Sequence, residues 1–110
     1  MTINDLIKVL SLDIKSGKNG IENSVTGCYV SDLLSDVMVN SKEGNVWLTL
    51  QIHPNIVAVA NMKDLAGIIV VGNRQPQIET LQKAETEKIL IATTPLPAFE
   101  AAGKIYQLLN

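Results

Sequence analysis

The one histidine of the chain, His53, stands in "QIHPN", at the joint between an alternating apolar run and a helix-like run, "NIVAVA". An imidazole there could cap the helix that Pro54 opens, orient an anion, or move a proton, because its pKa lies where small shifts switch its charge. The one arginine, Arg74, follows Gly72 and Asn73 in "VVGNRQP". Gly72 allows a tight turn there, Asn73 tolerates a left-handed backbone, and a guanidinium suits a phosphate or a carboxylate. Thr93 and Thr94 end "ILIATT", where hydroxyls serve either a ligand or the cap of the next helix. With Asp32, Gln51 and Asn55, these residues make a polar set suited to holding a ligand. No nucleophile stands beside a base, so no catalytic residue is expected and the chain is read as a non-enzyme.

Other candidates fall away on spacing. "SGKNG" lacks the G-x-x-x-x-G-K-[ST] pattern and stands between two strands, so it is no phosphate loop. Cys28 is the only cysteine. It excludes an internal disulfide, and one thiol with one imidazole makes no common structural metal site; no metal and no cofactor is expected. Cys28 lies in a strand pattern and reads as a small buried hydrophobe. Trp47, the single tryptophan, shares a strand face with Asn45 and Thr49 and is taken as an interface candidate, or as core if the alternation slips by one residue.

For the polar set to meet, the elements must bring it to one edge. Thr2 and Asp5 start a helix with Leu6, Ile7, Val9 and Leu10 on its apolar side. "LSLDIKSG" alternates as a short strand, "SGKNGIENS" is a loop, and Val25 to Val30 form a second strand. A helix capped by Ser31 or Asp32 runs to Gly44 with Leu33, Leu34, Val37 and Met38 inward. Strand 46–52, a helix from Pro54, the buried run "AGIIVVG", helix 76–87 with Ile78, Leu81 and Ala84 on one side, and "ILIAT" follow. "LPAFEAAGKIYQLL" closes as a helix with Phe99, Ala102, Ile105, Tyr106 and Leu109 at helical spacing. Alternation with short connections predicts an α/β domain over residues 1–110, with a mixed, largely parallel sheet of about five strands. Ligands in such sheets collect outside the carboxyl ends of the strands, the edge where the polar set would lie.

Composition narrows the partners. The net charge is −2 and aromatic residues make up 4% of the chain, with no basic cluster interleaved with rings, so nucleic acid is not expected. No apolar run approaches the ~18 residues of a membrane span, and the N-terminus does not read as a signal peptide, so no membrane partner and a cytoplasmic, reducing location are expected.

The segments "SGKNGIENSVTGCYVSDLLSDV", "EGNVWLTLQIHPNIVAVA", "AGIIVVGNRQP" and "ILIATTPLPAFEAAGKIYQLL" resemble a DRTGG domain, from about Leu12 onward. The resemblance implies a three-layer α/β sandwich like the N-terminal domain of HPr kinase and of MurF-type ligases. It also implies a regulatory or assembly role of the kind such domains have beside CBS domains in pyrophosphatases and in phosphotransacetylases. The family's Asp-Arg pair falls where this chain has Ile52-His53-Pro54, and its Thr-Gly-Gly where it has Val71-Gly72-Asn73, so only Gly72 matches directly. The closest likeness is to short stand-alone proteins of anaerobic bacteria, some found near iron-hydrogenase components. A non-catalytic bacterial module that forms a homodimer and docks on a larger enzyme is therefore the first expectation, in anaerobic redox or hydrogenase-linked metabolism. The alternative is a sensor of a nucleotide or other phosphorylated metabolite at Asp32, Gln51, His53, Asn55, Gly72, Asn73, Arg74, Thr93 and Thr94.

Overall fold

Short crossovers between parallel strands decide the architecture of this computed structural model, which describes residues 1–109. The elements are α1 (Ile3–Leu10), β1 (Asp13–Ser16), β2 (Gly27–Val30), α2 (Leu34–Asn40), β3 (Asn45–Thr49), α3 (Asn55–Met62), β4 (Gly67–Val70), α4 (Ile78–Glu87), β5 (Ile91–Thr93) and α5 (Ala98–Leu109). A 3-10 turn over Lys18–Glu22 interrupts the stretch expected to be all loop. The sheet order is β1-β5-β4-β3-β2. β2, β3, β4 and β5 run parallel, and β1 joins β5 antiparallel, so the expected mixed and mostly parallel five-stranded sheet is present.

Because each crossover from β2 to β5 advances in the same direction, a constant right-handed connection puts α2, α3 and α4 on one face. The opposite face is left to the helices outside that run, α1 and α5. Two apolar clusters follow. Ile3, Leu6 and Leu10 of α1 and Ala101 and Ile105 of α5 pack on Val46, Leu48, Ile69 and Ala92. Val37, Ile56, Val57, Ala60 and Ala84 pack on Trp47, Ile68, Val70 and Ile91. This is a three-layer α/β sandwich.

With helices on both faces, alternation along a strand no longer separates core from surface. Trp47 does share its face with Thr49, but α2 and α3 cover that face and Trp47 is 0% exposed. Its indole N–H donates to the Ser31 carbonyl at 2.8 Å. The interface reading of Trp47 is corrected accordingly: it is core.

Helix starts also moved. At α1 the Thr2 backbone N–H donates to the Asp5 carboxylate at 2.8 Å, as the sequence suggested. α2 begins later than expected, and Leu33, expected inside, is exposed because it precedes the first helical turn. In α5 the buried stripe is Ala101 and Ile105, while Phe99 is 90% and Tyr106 71% exposed. The helix thus carries two apolar stripes, and the sheet takes only the one made of smaller residues.

Candidate functional site

Four parallel strands end on the same edge, and the turns that leave them carry the polar residues singled out in the sequence. β3 stops at Thr49, so Leu50 to Pro54 form the turn into α3 and Gln51 belongs to that turn, not to the strand. Asp32, in the turn after β2, organises this corner. Its carboxylate accepts the Thr49 hydroxyl at 2.9 Å and the Leu50 backbone N–H at 2.7 Å. The Gln51 side-chain amide donates back to the Asp32 carbonyl at 2.9 Å. Ionic hydrogen bonds of this kind are stronger than neutral ones, so the two turns are clamped together.

The next turn is built by backbone geometry. Gly72 and Asn73 both have positive φ, 70° and 61°. Their N–H groups donate to the Leu96 and Thr94 carbonyls at 2.8 and 3.0 Å. The pair reverses the chain after Val71 and presents Arg74 beside the β3 turn.

Asp32, Gln51, His53 and Arg74, with Leu50 and Ile52, line one concavity of about 260 Å³. The side chains of His53 and Arg74 have no hydrogen-bonding or ionic partner among the described residues. Two donor-rich groups that could carry charge therefore face one hollow with their capacity unspent. The arrangement suits an anion: the guanidinium offers paired donors, the imidazole one or two more, and Gln51 and Asp32 fix the floor.

The other candidates lie elsewhere. Asn55 opens α3 and is exposed, outside the hollow's lining, and so are Gly72 and Asn73, whose role is to shape the turn. Thr93 and Thr94 are 5% and 1% exposed. The Thr94 hydroxyl donates to the Leu10 carbonyl and accepts the Leu96 N–H at 3.2 Å, tying the end of α1 to the turn before α5. Its hydrogen-bonding is spent inside the fold. Sequence reasoning missed Leu50 and Ile52 as lining residues because they continue the strand's alternation past its end.

Two further hollows differ in character. One of about 510 Å³ lies at the opposite edge of the sheet, and its charged lining, Glu43, Asp64, Glu87 and Lys88, is mainly acidic. Asn23 donates to the Ala66 carbonyl at 3.0 Å, and Asn61 to Glu87 at 3.2 Å. The other, about 370 Å³, is an apolar groove between β2 and α5, lined by Cys28, Val30, Phe99, Ala102, Gly103, Tyr106 and Leu109. Burial pushes the Cys28 thiol up to about 12, which keeps it protonated and a poor nucleophile at neutral pH.

No family model and no curated protein matches the sequence. Among solved structures, the chain resembles the CBS and DRTGG domains of the regulatory region of Clostridium perfringens pyrophosphatase, complexed with its activator diadenosine tetraphosphate. The TM-score is 0.76 at 19% sequence identity. The match covers 96% of this chain and 46% of that one, so this chain spans less than half of the regulatory region it resembles. In fold, the chain is a DRTGG-like α/β domain.

Proposed function

We propose that this chain is a non-catalytic regulatory module that takes a phosphate-bearing small ligand, such as a nucleotide or sugar phosphate, at the Asp32–Arg74 corner. It self-associates and docks on a larger enzyme. The single observation that carries the ligand reading is the convergence of His53 and Arg74 on one hollow, their side chains without partners among the described residues. Support for a regulatory role comes from the fold, shared with the regulatory region of a pyrophosphatase that is complexed with a nucleotide activator. Support for a non-catalytic role comes from the site itself: its one carboxylate, Asp32, is committed to the Thr49 hydroxyl and the Leu50 N–H, and no hydroxyl or thiol nucleophile lines the hollow. An anaerobic redox or hydrogenase-linked setting rests on the sequence resemblance alone.

The test is a thermal-shift screen against nucleotides, sugar phosphates and inorganic phosphate, on wild type, Arg74→Ala and His53→Ala. A ligand at ~100 times its dissociation constant adds about 2.7 kcal/mol. In a domain of this size that raises the melting temperature by roughly 10 °C. Loss of the shift in Arg74→Ala, with an unchanged melting temperature of the unliganded variant, establishes the site. A shift that survives both substitutions moves the ligand elsewhere, and no shift with any phosphate compound overturns the ligand reading.

A further inference from the structure

One backbone carbonyl joins the two arms of the ligand corner. The Ile52 carbonyl accepts the Gln77 backbone N–H at 3.1 Å and the Thr80 hydroxyl at 2.7 Å. His53 is the residue after Ile52, and Arg74 stands just before Gln77, with the buried Pro76 in between. Within α4 a second threonine behaves differently: the Thr86 hydroxyl donates to the Gln82 carbonyl one turn back, at 3.1 Å. Such a local bond is the common habit of a helical threonine. Thr80, 0% exposed, gives its hydroxyl across 28 residues of sequence to the turn that carries His53.

We infer that Thr80 is a positioning residue of the corner: through the Ile52 carbonyl it fixes the His53 turn against the segment that carries Arg74. This rests on the ligand reading proposed above and adds the residue that sets the spacing of its two donors. Two donors converging on one carbonyl fix its direction, because hydrogen bonds weaken as they bend. The planar peptide carries that direction into the backbone of His53. A second contact braces the same turn, since a Cβ built on Gly72 comes within 3.3 Å of the Leu50 side chain. The turn after β3 thus rests on the turn after β4 at Leu50 and is bonded to the start of α4 through Ile52.

The side chains of His53 and Arg74 have no partner of their own among the described residues, so the backbone alone sets how far apart they stand. An anion gripped by both needs that separation held before it arrives, because ordering the arms on binding subtracts from affinity. Thr80→Val removes the hydroxyl and keeps the branched shape. The Ile52 carbonyl then retains the Gln77 N–H, so no buried acceptor is orphaned and the variant is expected to fold. Thr80→Ser makes the opposite change, keeping the hydroxyl and losing the methyl.

Titration with inorganic phosphate, followed by NMR, tests the assignment on wild type, Thr80→Val, Thr80→Ser and Ser41→Ala. The sole histidine and the sole arginine each give one side-chain signal set, so both arms are read in the same titration. Ser41→Ala controls for general destabilisation: Ser41, 3% exposed, donates to the Val37 carbonyl at 2.6 Å and lies outside the lining of the hollow. A dissociation constant raised about fivefold or more by Thr80→Val, the weight of one hydrogen bond, supports the role if Thr80→Ser restores it and Ser41→Ala leaves it unmoved. Equal dissociation constants in wild type and Thr80→Val overturn the role and leave the ligand reading standing. A loss that Thr80→Ser does not restore, or that Ser41→Ala reproduces, assigns the effect to packing or stability and also overturns it. A wild type whose His53 and Arg74 signals ignore phosphate overturns the ligand reading, and the role of Thr80 with it.

Discussion

The carboxylate of Asp32 accepts the backbone N–H of Leu50 at 2.7 Å across a sequence separation of 18 residues. This contact joins the turn after β2 to the turn after β3, and the candidate ligand hollow lies over the joint. Asp32 is therefore more a clamp for the corner than a group free to meet a ligand.

Replacing Asp32 tests that division of labour. Asp32→Ala removes the acceptor for the Thr49 hydroxyl and the Leu50 N–H and is expected to lower stability by about 1–2 kcal/mol. Asp32→Asn keeps an acceptor oxygen in place and should cost less. Urea denaturation of the two variants measures the difference. Equal losses would mean that packing, not the hydrogen bonds, holds the corner.

Trp47 offers a sharper contrast between surface and core. Fully buried and bonded to the Ser31 carbonyl, it should cost about 3–5 kcal/mol when cut to alanine. Val39→Ser, at a position 76% exposed, should stay within about 0.5 kcal/mol of wild type. As the sole tryptophan, Trp47 also gives a direct optical check: native emission should be blue-shifted and should move red as the protein unfolds.

The Tyr29–Asp36 pair sets a pH dependence. Asp36 is held below the ordinary carboxylate range, first by the Asn40 amide and then by the Tyr29 hydroxyl, which donates to it at 2.8 Å. A folded pKa below the unfolded one stabilises the protein above the unfolded value, and that contribution fades as pH falls through the folded value. The Tyr29 phenol is pushed up, mainly because it donates to Asp36. Its contribution is complete below the ordinary tyrosine pKa and fades as pH rises through the raised one. Tyr29→Phe should therefore lose stability relative to wild type at neutral pH, with the gap closing in acid. Denaturation midpoints measured from acid to neutral pH decide it; a gap that does not change with pH would assign the loss to packing.

Much of the fold was legible because its signals are local. The alternation of strand and helix, the capping pair Thr2 and Asp5, and the fully apolar run through Ile68, Ile69 and Val70 depend on neighbours a few residues away. Parallel strands joined by short crossovers then leave few topologies open, and the three-layer sandwich is among them. The corner was partly legible for the same reason: strands of one direction end on one edge, which brings His53 and Arg74 to the same side.

Only the tertiary structure decided which face of each element meets the core. Trp47 reads as half-exposed by alternation, yet α2 and α3 cover its face. Phe99 and Tyr106 stand with Ile105 at helical spacing, yet the sheet takes Ala101 and Ile105 and leaves Phe99 and Tyr106 exposed. Asp32 and Thr94 read as ligand groups, yet partners 18 and 84 residues away absorb their hydrogen bonds. Periodicity specifies that an apolar face exists. Which of two such faces is buried depends on the shape of the layer it packs against, and that layer is assembled from distant parts of the chain.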